Sequence, residues 1–458
     1  MQKTFISILA DFFANLKIED LKEDVIERAK VCILDTIAVA YAGHETEPAA
    51  IISDVVKRFE TPNDQATVWV RGVKTNYIFA AVNNCMFAHS MIHDDQNLST
   101  KGHAGNLIVP TALAVAEARQ RPCSEILPAI AIGYEAMGRI GAPAIDYSIE
   151  RGFRSTSNYG PFGVAAAAGK IMALDAEKMS NALLCAASYC MGLLEPFNVG
   201  SMEWRFQNSL VIMGGCMAAL TAEKGLRAAK TALEGDAGFI SAFCGRDVRD
   251  KIIEAWMQQS ESLGKEYDIT KTLFKPYATC GYNQMGCSIA LNVIENNSIT
   301  PEMVKEIIIR VSPDNKAYPG VDYHGPFDTT DAALMSKQFM IGGAVITRDL
   351  QVDTYLDRLH DPEIQRIAKL VRIEADEKMS SMDTEITFIT KDNQAFKGDL
   401  GSANFSSFML NRDTVIQKFR SLASRYISSE KMDQISDAVF HLEKLKSVSE
   451  LTTLLTKG

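Results

Sequence analysis

A chain of 458 residues, 47% hydrophobic and 23% charged, carries enough apolar side chains for two or three packed domains. Its net charge of −10, with no basic stretch to track a phosphate backbone, excludes nucleic acid as an expected partner. No apolar run approaches the ~20 residues that span a bilayer, so no membrane partner is expected. Met1–Ala14 carries Asp11 within helical spacing, unlike a signal peptide, so a cytoplasmic location is expected. The nine cysteines are scattered, odd in number and without a C-x-x-C pair, and read as small buried hydrophobes in a reducing compartment.

Along the first half, spacing predicts helices. From Val25, apolar residues recur at Ala29, Cys32, Ile33, Ile37 and Ala40, one face of a 3.6-residue period, and Gly43 stops the run. Further helices are predicted over 76–91, 109–119, 125–140, 163–173, 175–193, 209–225 and 229–233. Several are rich in Ala and Gly, which lets helices approach closely. After about Asp268 the pattern changes. Lys305–Val311, Lys369–Glu374 and Thr384–Thr390 are β-branched runs that read as strands, with a helical stretch from Thr330 to Arg348 between the first and second. Helices return over 413–427 and 429–455. The expected fold is mainly α: a large all-α domain built from both chain ends (1–268 and 401–458), with a smaller α+β lid domain (269–400) inserted.

Four polar segments carry the chemistry. In the first, three of seven histidines and two adjacent carboxylates fall within His89–His103. On a helix, His89 and His93 share a face, and Asp94 or His103 could complete a metal site. The simpler reading is general acid–base chemistry by His103, beside a Gly-containing break and oriented by Asp94 or Asp95, with His89 a core histidine. The second segment runs from Arg151 to Gly163. Its polar loop leads into a helix whose N-terminal N–H groups favour an anion, and Arg154 either clamps a carboxylate or caps the preceding helix. A phosphate loop is excluded, because five residues separate Gly163 from Gly169 and Ile171 stands where Ser or Thr is needed. The third segment, Gly200–Asn208, holds Trp204 and Arg205 and is either a binding loop or an exposed polar one. The fourth holds Lys275, Tyr277 and Cys280, where Lys275 is a surface charge or a carboxylate anchor.

Taken in order, these segments resemble the MmgE/PrpD family over essentially the whole length. The likeness includes Asp20-Leu21, Glu27–Lys30, Leu34–Thr36, Ala88-His89, Asp94-Asp95, His103, Gly152-Phe153, Gly160–Gly163, Glu234-Gly235, Gly238-Phe239, Lys275–Tyr277 and Lys397–Asp399. The resemblance implies an all-α domain with an inserted α+β lid, a homodimer and a small carboxylate as substrate; no cofactor is expected, and no metal, because the ligand-like residues cluster only once. Activities in the family include dehydration of 2-methylcitrate, decarboxylation of cis-aconitate and epimerisation of iminodisuccinate. The family's Asp-Phe-Asp-Asp-Thr falls here on Ile92, His93, Asp94, Asp95 and Gln96, so its first Asp and its Thr are replaced. A family histidine falls on Arg154, a lysine on Trp204 and an aromatic on Phe339, while His103 and Lys275 are kept.

The expected function is acid/base chemistry at a carbon alpha to a carboxylate of a small di- or tricarboxylate. His103, Asp94, Asp95 and Lys275 are the catalytic candidates. Arg154, Arg205, Gln96, Trp204, Tyr277 and Cys280 are the substrate-binding ones. Loss of water is the preferred outcome, epimerisation the alternative and decarboxylation a possibility; a metal-dependent hydrolase and a catalytically silent binding protein are the remaining classes.

Overall fold

The computed structural model describes residues 4–59, 65–352 and 357–456. The protein is mainly helical with a few short strands, and divides into two units. The first comprises Met1–Leu193, Arg205–Phe274 and Leu410–Gly458; the second comprises Leu194–Trp204 and Lys275–Met409. These limits differ from the expected 268 and 400. Strand Thr272–Leu273 pairs antiparallel with Gln96–Asn97, which keeps the chain in the first unit as far as Phe274. Leu194–Trp204 belongs to the second unit because the Trp204 indole donates to Asp331 (2.8 Å) and the Gly200 carbonyl accepts from Thr329 (2.9 Å).

In the first unit, helix Glu23–Gly43 is a central post, buried along most of its length. Helices Tyr77–His89 and Gly105–Arg119 pack against it, and so does Arg412–Ala423 from the far end of the chain. Arg28 joins the two ends directly, donating to the Leu410 carbonyl at 3.1 Å. Helix Ile126–Gly141 packs on Ser155–Ile171, where Gly133 and Gly163 face each other. A Cβ on Gly163 would lie 2.9 Å from the Gly133 carbonyl, so the close approach requires glycine there.

The second unit holds a four-stranded sheet in the order Val371–Ala375, Val304–Val311, Thr384–Thr390, Ala395–Gly398. Its first pair is parallel and the others antiparallel. Thr384, Ile386, Phe388 and Thr390 alternate inward, the period-2 pattern of a strand with one buried face. Helices Gly281–Asn296 and Lys337–Thr347 pack on this sheet and on each other.

Several predicted elements are corrected. The segment 155–162, read as a polar loop, is the start of helix Ser155–Ile171. Pro161 is tolerated inside it because the Met191 N–H reaches the Ser157 carbonyl (3.4 Å) that proline leaves without its i+4 partner. Helix Glu203–Glu223 likewise begins six residues before the predicted 209, and 229–233 is a turn rather than a helix. The predicted 330–348 helix is two helices, broken at Ser336 where ψ is 121°. Strand Ala395–Gly398 carries no strong β pattern and was not predicted.

Candidate active site

Helix Tyr77–His89 starts at an Asn76 cap, whose side chain accepts from the Ile78 N–H, and ends at His89. Ile92 then takes a positive φ of 51°, turning the chain off the helix axis. His93 therefore does not share a helical face with His89, and that expected pair is corrected. Beyond strand Gln96–Asn97, the Asn97 side chain accepts from the Ser99 and Thr100 N–H groups, and Lys101 (φ 52°) reverses the chain. Gly102 passes through a space where a Cβ would come within 2.7 Å of Met137 Cε. The reversal returns His103 to Asp94, and helix Gly105–Arg119 begins two residues later.

At His103, Nδ1 lies 2.7 Å from the Asp95 backbone carbonyl and 3.4 Å from Asp94 Oδ2. A carbonyl oxygen only accepts, so Nδ1 carries the proton and Nε2 is the atom that takes or gives one in chemistry. The His103 backbone N–H is pinned by Thr156 Oγ1 at 3.1 Å, tying the loop to helix Ser155–Ile171. Asp94 Oδ2 also accepts from His89 Nδ1 (2.9 Å) and Asn106 Nδ2 (2.7 Å). The two imidazoles stand 5.0 Å apart at 60°; His103's side chain is 11% exposed and that of His89 fully buried. Of the pair, His103 is the more exposed.

The two adjacent carboxylates have different tasks. Asp94 faces the histidines, whereas the Asp95 side chain accepts from Tyr134 Oη (2.5 Å) and from the Gly105 N–H (2.9 Å), where the next helix starts. Burial pushes the Asp95 carboxyl up to about 7, with Asp94 and Asp35 adding repulsion against the hydrogen bonds from Tyr134 and Gly105. Asp95 touches His103 through its backbone alone, so its carboxylate as orienter is corrected. The far end of the chain reaches this loop as well: Lys418 Nζ bonds Asp35 (2.7 Å) and the His93 carbonyl (3.2 Å).

Arg154 is buried, and its guanidinium donates to His89 Nε2 (2.7 Å), Asn208 Oδ1 (2.7 Å) and Ser157 Oγ (3.2 Å). Asn208 passes the network on to Asn106 Oδ1 (2.9 Å), which also receives the Cys85 thiol (3.2 Å). Arg205 donates from Nε to the Ser90 carbonyl at 2.9 Å. Gln96 donates to the Lys101 carbonyl (3.2 Å), bracing the reversal that presents His103. Sequence reasoning missed Asn106, Asn208, Tyr134 and Thr156. The signal for the first two was an amide at the polar start of an apolar helix.

The remaining candidates lie in the second unit. Lys275 is buried, and its charge opposes the burial that pushes the Cys280 thiol up, leaving Cys280 a thiol rather than a thiolate. Tyr277 is pushed up to about 12 by burial. Trp204 is buried against Phe197 with its N–H on Asp331. A lysine not singled out from the sequence, Lys337, is fully buried and donates to the Tyr282 carbonyl at 2.5 Å; desolvation pulls it down to about 8.

Among the described residues, the triplet able to hold a metal ion is His89, Asp94 and His103, with one ligand atom from each within 4.8 Å. The donor set does not fit an ion well. The Nδ1 to Oδ2 distance of 2.9 Å is that of a hydrogen bond, and the guanidinium on His89 Nε2 brings a positive charge to the cluster's edge. Acid/base chemistry at His103 is what the arrangement supports.

Residues 7–250 match the MmgE/PrpD N-terminal domain and 277–442 the MmgE/PrpD C-terminal domain. Cis-aconitate decarboxylase of Homo sapiens is 25% identical over 99% of this chain and 95% of its own length. The proteins of that name from Aspergillus terreus and Mus musculus are 23% and 24% identical, over 98% and 99% of this chain and 95% and 94% of their own. With both domain models matched in order along the chain, this protein belongs to the MmgE/PrpD family of enzymes.

Proposed function

We propose that this enzyme carries out cofactor-independent proton transfer at a carbon alpha to a carboxylate of a small di- or tricarboxylate, with His103 as the acid/base. The observation that carries the reading is the fixed tautomer of His103: Nδ1–H is held by the Asp95 carbonyl beside the Asp94 carboxylate, which makes Nε2 the basic nitrogen. Asp94 stabilises the imidazolium that forms when Nε2 takes a proton. Arg205 is the proposed cation for a substrate carboxylate in the first unit. Lys275 is a proposed second anchor on the strength of the resemblance alone, as is the homodimer, which light scattering checks.

Among the outcomes, loss of CO2 fits this site better than loss of water. Decarboxylation breaks one C–C bond and leaves an electron pair on carbon, which a single protonated His103 Nε2 quenches as the new C–H bond. Dehydration needs a proton removed from carbon and another delivered to the departing hydroxyl. The family histidine that could supply the second transfer is replaced by Arg154, which is engaged with His89, Asn208 and Ser157. The names of the relatives point the same way. Loss of water remains the second reading, supported by the retained Asp94–His103 pair, since one histidine can shuttle both protons in a syn elimination.

The test is a panel of unsaturated and hydroxylated di- and tricarboxylates, cis-aconitate included, followed for CO2 release and for new conjugated absorbance. CO2 release supports the first reading, and conjugated absorbance without CO2 the second. Absence of proton exchange or turnover at any such carbon overturns both.

A further inference from the structure

The arginine that stands in place of a family histidine makes a contact whose consequence extends to the acid/base. A guanidinium has five N–H donors and no acceptor, and keeps its proton throughout the working range. Its Nη2 lies 2.7 Å from His89 Nε2, so that nitrogen must be the acceptor. The proton of His89 is therefore on Nδ1, pointed at Asp94 Oδ2 (2.9 Å). A doubly protonated His89 would set an N–H against the guanidinium N–H and place two cations in contact within a buried site.

We propose that His89 is a positioning residue, locked by Arg154 as the neutral Nδ1–H imidazole, so that Asp94 stays an acceptor for His103 and His103 is the one imidazole of the pair that titrates. The lock is built, not incidental. Arg154 is itself fixed by Asn208 and Ser157, and Ser157 in turn donates to Gln207 (3.0 Å). Asp94 Oδ2 has a second donor in Asn106. The buried charges of Arg154 and Asp94 are thus joined through a neutral ring that accepts from one and donates to the other. This offsets part of the cost of burying both.

Among the described residues, the charged and titratable groups around His89 include Asp94 and His103 from the following loop and Arg154 from the start of helix Ser155–Ile171, with Asp95 next to Asp94 pushed up to about 7. Arg205 sits on the neighbouring Ser90 carbonyl. Cys85, on the same helix as His89, is pushed well up by burial and stays neutral. A cationic His89 would stand 5.0 Å from the His103 ring and oppose its protonation. Holding His89 neutral removes that opposition and keeps the Asp94 carboxylate, 3.4 Å from His103 Nδ1, as a favourable partner.

This inference rests on the reading of His103 as acid/base, but its first test does not need a substrate. With seven histidines in the chain, ¹⁵N-histidine labelling of the full-length protein resolves tautomers directly. The expected result is a His89 signal of the Nδ1–H form that does not move between pH 5.5 and 8.5, while His103 titrates. In Arg154→Met, which removes the donor and keeps the length, His89 begins to titrate in the same window. A titrating His89 in the unaltered protein, or a proton on its Nε2, overturns the proposal even if the variant fails to fold. The second arm is kinetic: His89→Phe lowers kcat about tenfold and displaces the pH limb of kcat/KM that belongs to His103. A limb that does not move means His89 is only packing. If the tautomer is as expected and no carboxylate is turned over, the functional reading fails and the lock stands.

Discussion

Asp95→Asn isolates the energetic consequence of burying a carboxyl beneath the catalytic loop. Asp95 is pushed from 3.8 to about 7, chiefly by desolvation. Between those values the folded chain keeps a proton that the unfolded chain has lost, so the folded state is favoured at low pH. That advantage is lost as pH rises from about 4 to about 7. The gap of about three pH units is worth about 4 kcal/mol at ~1.36 kcal/mol per unit, and the part above pH 5 about 3 kcal/mol. Asparagine is a fixed neutral analogue: its oxygen can accept from the Gly105 N–H and its amide can donate to the Tyr134 oxygen. The assay is urea unfolding of both proteins at pH 5, 6.5 and 8. The variant should gain on the parent by about 3 kcal/mol between the first and last. Glu135, also pushed up to about 7 by burial, gives both proteins a shared slope that cancels in the difference. A difference that stays constant, or turns against the variant as pH rises, means Asp95 is ionised in the fold and the reasoning from burial is wrong.

Three further outcomes are expected. Gly138→Ala should cost about 3 kcal/mol or more, read as a fall in melting temperature, because its Cβ would overlap the Asp268 carboxylate. Asp268 in turn accepts from Ser99 and Asn97 in the loop that carries His103, so activity should fall with stability. Lys275→Ala should raise KM with a smaller change in kcat, as expected when a charge that binds a carboxylate is removed; unchanged KM removes it from the binding set. Dialysis against a strong chelator should leave turnover intact. Loss that a single divalent ion restores would revive the His89–Asp94–His103 triplet as a metal site.

The sequence was most legible where one period dominated. The apolar face from Val25 to Ala40 and the alternation in Thr384–Thr390 each specify one element and one buried side. It was least legible where tertiary contacts override local signals. Gly160-Pro161 reads as a break, yet the helix runs through it because the Met191 N–H takes up the Ser157 carbonyl. The candidate site was legible as a set of residue types but not as a geometry. Nothing in the spacing of Asp94 and Asp95 tells that one faces His103 and the other Tyr134, since that depends on turns at Ile92 and Lys101. Arg154 read as a substrate clamp because arginine pairs with carboxylates. Its engagement with His89 depends on a contact 65 residues away in the chain, which no local pattern encodes.

The most direct test of the account is the turnover of His103→Ala on whichever carboxylate the parent enzyme consumes. General acid–base catalysis by one residue is worth about 10²–10⁴-fold, and the account predicts a loss of kcat in that range with the fold retained. Near-normal turnover by His103→Ala would contradict it and place the acid/base elsewhere, with His93 and Cys280 the next residues to replace.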